Sequence, residues 1–271
     1  KPEALLATNT SSIVLAPLAQ GLARPGRLVG LHFFNPVAQM PLVEVIHDAA
    51  TEPVALQAAL AFARRIDKLP LPCRSSAGFL VNRVLVPYLF EAMFAASEGV
   101  PLSVIDQVAL DFGMPAGPVE LADVVGLDVC SHVGHIVAAE LGRAPPDLSR
   151  LQELIAAGKL GRKTGEGFYP WVDGKAVKAP APGLSPPADL ADRLVLALLN
   201  ECVACLREGV VEDADLLDAG VIFGTGFAPF RGGPLQYARQ RGIAAVVARL
   251  RELQARHGTR FTPDPGWDRL A

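Results

Sequence analysis

A repeat constrains this chain more than any other feature. NRVLVPYLFEAMFAASEGV at residues 82–100 aligns without a gap against DRLVLALLNECVACLREGV at 192–210, an offset of 110 residues. The two stretches share an Arg, several apolar positions and a closing Glu-Gly-Val. Further on, Gly117-Pro118 with Gly126 recurs as Gly233-Pro234 with Gly242, the same nine-residue interval from Gly to Gly. Two unrelated amphipathic helices would match in their apolar rhythm but not in their caps and spacing, so the pattern reads as a duplicated helical unit. The duplication commits much of the chain to helix. Asn82 becomes Asp192 in the second copy, as expected if that copy serves packing.

The first seventy or so residues have a different rhythm. ALLAT reads as a strand, SIVLAPLAQGL as a short helix after a Ser cap, and RLVGLHFF and LVEVIH as two more strands. Thr51 is placed to cap a helix through ALQAALAFARRI, with Glu52 and Pro53 in its first turn, and LPLPC follows as a brief strand. Strands alternating with helices indicate an α/β sheet. From Ser75 onward the pattern predicts helices over 78–98, 103–112, 117–125, 127–141 and 148–157, punctuated by Gly99, Gly113 and Gly126. GRKTGEGFYPWVDGK closes this region with turn chemistry, and APAPGLSPP at 179–187 is a Pro-rich linker that cannot propagate a helix. The expected division is therefore 1–74, 75–178, a linker at 179–187, and a helical 188–271.

At 271 residues, 51% apolar and 20% charged, the chain can bury a substantial core. A net charge of -3 with both signs interspersed gives no basic field for nucleic acid and no polybasic membrane anchor. The long uncharged stretch from Ala4 to Ala23 carries Thr8, Asn9, Thr10, Ser11, Ser12, Pro17 and Gln20, which rules it out as a membrane span. No basic region followed by an apolar one marks export, so the expected setting is cytoplasmic. Cys202-x-x-Cys205 has metal-like spacing but sits in a helical apolar run with no second pair, which reads as core packing. Cys130, His132 and His135 crowd one helical stretch, but no carboxylate there completes a ligand set, and no metal is expected.

Three polar residues interrupt apolar sequence: His32 in LVGLHFFNP, Glu44 in PLVEVI and Asn82 in GFLVNRVLVPY. An unpaired polar group in the interior costs a few kcal/mol, so each needs a partner or a ligand. Glu44 is flanked by β-branched residues in what reads as a strand buried on both faces, and its nearest candidate partner by pattern is His32. In such a pair the carboxylate fixes the imidazole tautomer and supports the imidazolium, which leaves the other nitrogen to exchange a proton near neutral pH. A core His paired for structure has the same pattern. Asn82 shares a helical face with Leu85 and Leu89, where its amide either ties down backbone or binds a ligand oxygen. The loop Asn9-Thr10-Ser11-Ser12 leaves a strand and opens a helix, which puts its hydroxyls and free amides at the carboxyl edge of the sheet, where open α/β sheets bind ligands.

ATNTSS, GLHFFNPVAQMPLVEVI, GFLVNRVLVPY, FGMPAGPVELADVVGLD and KTGEGFY, in this order and spacing, resemble the L-3-hydroxyacyl-CoA dehydrogenases, and more closely those within the alpha subunit of the multifunctional fatty acid oxidation complex. The second helical copy, with LNECVACLREGV and FGTGFAPFRGGPLQYA, is similar to the extra C-terminal copy of the multifunctional form. The resemblance implies a remnant of a Rossmann NAD-binding domain followed by an all-α, duplicated, 6-phosphogluconate-dehydrogenase-like C-terminal domain. It makes His32 the base that takes the 3-hydroxyl proton while hydride leaves C3 for NAD+, with Glu44 orienting His32. It gives Ser11 and Asn82 to the substrate oxygen, and Ser11, Asn35 and Lys163 to the nicotinamide half of the cofactor. Phe223 stands where some multifunctional members carry a Tyr, so any contact from that hydroxyl is lost here. The implied partners are an acyl-CoA substrate, a thiolase subunit, and a homo-dimer or pseudo-dimer formed through the helical copies.

One departure is large. No G-x-G-x-x-G occurs anywhere, and the near misses Gly165-Glu-Gly167 and Gly224-Thr-Gly226 neither follow a strand nor supply the third Gly. Without that turn the pyrophosphate has no seat, and on the order of a hundred residues of dinucleotide-binding fold are expected to be missing before Lys1. The expectations are that this polypeptide alone does not oxidise 3-hydroxyacyl-CoA appreciably, and that ALLAT lies at an orphan sheet edge. Two other functions fit the same residues: a helical assembly module that retains the dyad, and a dehydrogenase for a short-chain hydroxybutyryl-CoA or a non-CoA hydroxy acid.

Overall fold

The computed structural model describes residues 1, 3–140, 142, 148–180, 183 and 185–270. The chain divides into two compact units, Lys1–Arg83 with Cys202–Tyr237 and Val84–Glu201 with Ala238–Ala271. In chain order the elements that shape the first unit are β1 (Leu6–Thr8), α1 (Leu15–Ala19), β2 (Leu28–Phe33), β3 (Leu42–His47), α2 (Pro53–Arg65) and β4 (Leu69–Arg74). They are followed by α3 (Val81–Ser97), α4 (Leu102–Phe112), α5 (Pro118–Val125), α6 (Leu127–Glu140), α7 (Ser149–Ala156), β5 (Trp171–Val172) and β6 (Lys175–Ala176). The chain closes with α8 (Leu190–Arg207), α9 (Ala214–Thr225), α10 (Pro234–Arg241) and α11 (Ile243–His257).

The sheet of the first unit has the order β1-β2-β3-β4. β1 and β2 are parallel, β3 and β4 are parallel, and the central pair β2 and β3 is antiparallel. The expected alternation thus yields two parallel crossovers joined by a reversal through residues 34–41. β4 pairs through the amide of Leu69, which donates to the Pro41 carbonyl, so Pro70 and Pro72 turn their donor-less nitrogens toward the outer edge. β1 forms the opposite edge, as ALLAT was expected to, and Leu6 is exposed there.

Period-two alternation sorts the two faces of the sheet. Val29, Leu31, Val43 and Val45 pack with Ala55, Ala59 and Leu60 of α2. Fully burying a Val or Leu side chain contributes about 1.5–3 kcal/mol, so this face alone fixes the strand register. The other face carries Gly30, His32, Glu44 and Ile46, continued on β4 by Leu71 and Cys73. Gly30 lacks a side chain because a Cβ there would lie 2.7 Å from that of Ile46.

Helix starts differ from the local expectation, for one recurring reason. The α1 start has no cap from Ser12; instead the Leu15 amide donates to Ser75 Oγ at 2.8 Å. Thr51 does not cap α2, because its Oγ1 closes a turn with Asp48, accepting from the Asp48 amide and donating to Oδ1. The helix expected from residue 78 begins at Val81, since Gly78 and Phe79 have φ of 73° and 52°, outside the helical region. The end of the helix expected over 127–141, and Ala181, Pro182 and Leu184 of the expected linker, fall outside the described residues.

The repeat is visible as hardware used twice. α5 and α10 each start at the Pro of a Gly-Pro pair, and the glycine before it has no side chain to cap them. Asp106 accepts from the amides of Val119 and Glu120 at 2.8 and 3.2 Å, and Asp218 from those of Leu235 and Gln236 at 2.7 and 2.9 Å. Gly117 and Gly233 make room, since an added Cβ would lie 2.2 Å from Asp106 Cγ and 2.4 Å from Asp218 Cβ. Arg83 pairs with Glu208 at 2.7 Å and Arg193 with Glu98 at 2.6 Å. Each pair takes one member from each copy, at the same offset of 110 residues, so the two copies share two equivalent ion pairs.

Candidate active site

The antiparallel register places His32 directly opposite Glu44. Both side chains are buried, at 5% and 0% exposure, and the imidazole Nδ1 donates to Glu44 Oε2 at 2.6 Å. The other carboxylate oxygen, Oε1, accepts from the backbone amides of Leu80 and Val81 at 2.9 and 3.0 Å. Leu80 precedes α3 and Val81 opens it, so the carboxylate caps a helix whose own preceding residues, Gly78 to Leu80, offer no side-chain acceptor. A buried carboxylate costs several kcal/mol unless paired, and Glu44 is paired on both oxygens. The thiol of Cys73 stands 3.9 Å from Oε1. Burial pushes that thiol well above its ordinary range, and the charges of Glu44 and Cys205 push the same way, so it remains a weak S–H donor.

His32 is held from the sides by Phe34 and Phe79, whose rings meet it edge-on with centroids at 4.6 and 5.6 Å. With Nδ1 committed to Glu44, Nε2 has no hydrogen-bond partner among the described residues, and it is the nitrogen available to exchange a proton.

Ser11 lies half-buried in the loop that leaves β1, and its backbone carbonyl accepts from Asn82 Nδ2 at 2.8 Å. One half of the Asn82 amide therefore ties down backbone. Gly78 donates its amide to the Ser12 carbonyl at 3.4 Å, so residues 78–82 join the Ser11 loop to the dyad. Asn9 Oδ1 accepts from the Phe33 amide at 3.3 Å and closes the loop onto the end of β2. Asn35 is exposed just beyond β2. Lys163 belongs to the other unit, where its ammonium pairs with Asp128 Oδ1 at 2.5 Å.

The pattern of polar residues in apolar runs finds His32, Glu44 and Asn82 but misses what seats the carboxylate. The Leu80 and Val81 amides, the left-handed Phe79 and Cys73 have no polar signature. One signal was available: a helix start with no local cap must borrow an acceptor from elsewhere.

The nicotinamide end of a dinucleotide fits these residues, since the Ser11 hydroxyl and the Asn35 side chain stand at the carboxyl ends of β1 and β2 with no partner among the described residues. The pyrophosphate end has no seat among them. In Gly165-Glu-Gly167 it is the second glycine that lies against Asp123, whose carboxylate accepts from the amides of Phe168 and Tyr169 at 2.8 and 2.9 Å. A Cβ on Gly167 would meet Asp123 Oδ1 at 2.1 Å, so this glycine serves packing. Gly224 of the other near miss packs against Val81. Among the described residues no group of three or more His, Cys, Asp or Glu is placed to hold a metal ion, and no single helix is long and apolar enough to cross a membrane.

Residues 1–76 match the NAD binding domain of 3-hydroxyacyl-CoA dehydrogenase, and residues 78–171 match its C-terminal domain. The chain is 40% identical to the fatty acid oxidation complex subunit alpha of Vibrio vulnificus over 98% of its own length, and spans 39% of that protein. In structure it is similar to a 3-hydroxybutyryl-CoA dehydrogenase from Escherichia coli K12, with a TM-score of 0.84 at 26% identity over 99% of this chain and 75% of that one. It is also similar to the dehydrogenase part of multifunctional enzyme 1 from C. elegans, with a TM-score of 0.68 at 26% identity, over 100% of this chain and 66% of that one. A Rossmann-like sheet and a helical C-terminal region matching the two domains of one enzyme family, in order and over most of the chain, lead to one conclusion: the chain belongs to the NAD-dependent 3-hydroxyacyl-CoA dehydrogenase family of oxidoreductases.

Proposed function

We propose that this chain supplies the proton-transfer and substrate-holding part of an enzyme that oxidises L-3-hydroxyacyl-CoA to 3-ketoacyl-CoA. The observation that carries this reading is the buried His32–Glu44 pair, with Nδ1 bonded at 2.6 Å and Nε2 without a partner among the described residues. Bound NAD+ is the hydride acceptor in this chemistry. His32 Nε2 accepts the proton of the 3-hydroxyl group, and the imidazolium that forms stays bonded through Nδ1 to Glu44. The two amides at Oε1 hold the carboxylate in place while that charge appears. Phe34 and Phe79 keep water from the ring.

Ser11 and Asn82 hold the reacting oxygen through the Ser11 hydroxyl and the remaining capacity of the Asn82 amide. Asn35 and Lys163 serve the nicotinamide half of the cofactor. Since these residues supply no pyrophosphate turn, the 271-residue chain by itself turns over poorly. The domain division in this reading is a nucleotide-binding part at 1–74, a first helical copy at 75–178, a linker at 179–187 and a second copy at 188–271. The similarity to proteins named as subunits of a fatty acid oxidation complex supports fatty acid oxidation as the pathway and a further subunit as partner, for which the family resemblance implies a thiolase.

The test is NADH formation by the complete natural gene product with a series of L-3-hydroxyacyl-CoA chain lengths, beside the free 3-hydroxy acids. Turnover confined to the CoA thioesters supports the reading. Equal turnover of the free acids overturns the substrate assignment.

A further inference from the structure

The second helical copy reaches the seat of Glu44. α9 presents two glycines one turn apart, Gly220 and Gly224, to the sheet face that carries the dyad. A Cβ on Gly220 would lie 2.5 Å from Leu71 Cδ2 and 3.0 Å from Leu80 Cδ2. One on Gly224 would lie 2.5 Å from Val81 Cγ2 and 3.1 Å from Leu42 Cδ2. Leu80 and Val81 are the residues whose amides hold Glu44 Oε1, and Leu71 is the register partner of Glu44 on β4. The helix therefore packs against the side chains of the backbone that fixes the carboxylate, at a distance only glycine allows.

Two further contacts clamp the same segment. Arg83, buried one helical step beyond Asn82, donates to Ser76 Oγ at 3.1 Å and pairs with Glu208 at 2.7 Å. The Arg74 amide donates to the Val210 carbonyl at 2.8 Å. Both ends of the 74–83 stretch are thus tied to residues 208–210. Within it, Phe79 is held at a φ of 52°, a conformation that costs a bulky residue energy and persists only where its surroundings impose it.

We infer that Gly220, Gly224 and Glu208 of the second copy are positioning residues for the proton-transfer dyad: they hold the Phe79 turn so that the Leu80 and Val81 amides stay on Glu44. This gives the duplicated region a part in the chemistry as well as in packing. The inference rests on the reading of His32 and Glu44 as the acid/base pair, but its structural content is tested without turnover.

The experiment is amide hydrogen exchange and imidazole NMR on the whole 271-residue chain. Gly220→Ala, Gly224→Ala and Glu208→Gln are compared with Leu253→Ala, a buried substitution on α11 in the other unit. The three positioning variants should speed exchange at Leu80 and Val81 by about tenfold relative to the β3 amides, and broaden or shift the His32 Nδ1 proton. Leu253→Ala should lower Tm without that local signature. Adding Val81→Ala to Gly224→Ala removes the nearest atoms the new methyl strikes, leaving only the flexible end of Leu42 at 3.1 Å, and should restore slow exchange at Leu80. Unchanged exchange in Glu208→Gln and in whichever glycine variants fold overturns the inference. So does the same local change in Leu253→Ala. If local exchange changes as stated while His32 proves dispensable for turnover in the complete gene product, the functional reading fails and the positioning stands.

Discussion

Glu44 faces His32 as its register partner across β2 and β3, and its two oxygens are divided between the imidazole and the start of α3. This division makes the carboxylate sensitive to a change of one atom. Glu44→Gln keeps the shape but offers an amide where an acceptor pair is required, so either the imidazole loses its tautomer partner or the Leu80 and Val81 amides lose theirs. The expected result is a folded protein whose kcat falls by on the order of 10²–10⁴-fold with KM little changed. Steady-state kinetics of the complete gene product with its circular dichroism spectrum check both halves.

Asn82 and Asp192 stand at the same position of the two copies and have parted in role. Asn82 ties down the Ser11 carbonyl, whereas Asp192 is gripped by Arg241 at 2.5 Å and by Arg249 at 2.7 Å. Burial pushes the Asp192 carboxyl up, but the bonds from Arg241 and Arg249 outweigh it and hold the group below its ordinary value of 3.8. A depressed carboxylate adds stability that is fully present above 3.8 and is lost as pH falls through the lower folded value. Asp192→Asn should therefore lower stability at neutral pH, by about 1 kcal/mol or less because the pair is partly exposed. The difference from the parent should shrink as pH drops below the ordinary carboxylate range, as urea melts at stepped pH will report.

Asp106 and Asp218 cap α5 and α10 from a distance, and removing either strands two amides. Asp218→Ala should cost about 1–3 kcal/mol, above a typical exposed cap, since the group is buried and accepts from both Leu235 and Gln236. Asp218→Asn should recover part of that loss through its remaining acceptor oxygen. Asp106→Ala should cost at least about 1–3 kcal/mol, because it also strands the Tyr169 hydroxyl, which donates to Asp106 at 2.9 Å, and the Lys178 ammonium, which pairs with it at 3.0 Å. Thermal melts of the three variants decide the order.

Much of this was legible in the sequence because each signal was local or repeated. The strands at LVEVIH and RLVGLHFF, the helices and the 110-residue offset follow from periodicity, and a carboxylate in the middle of LVEVI announces a partner. What escaped depends on contacts far along the chain. Asn35-Pro36 marks a turn between β2 and β3, but a turn of that kind does not declare whether the next strand returns antiparallel. The caps of α1, α3, α5 and α10 come from Ser75, Glu44, Asp106 and Asp218, each a dozen or more residues from the helix it serves. Gly165-Glu-Gly167 has the look of a phosphate loop because glycine is needed for any close approach, and only the position of Asp123 shows which approach it is.

The most direct measurement is the rate of NADH formation from an L-3-hydroxyacyl-CoA by the complete gene product carrying His32→Gln, read beside the parent at matched folding. If Nε2 accepts the hydroxyl proton, kcat falls by on the order of 10²–10⁴-fold while substrate KM moves little. A kcat within about twofold of the parent, below what loss of a general base costs, would contradict the assignment of His32 as the base.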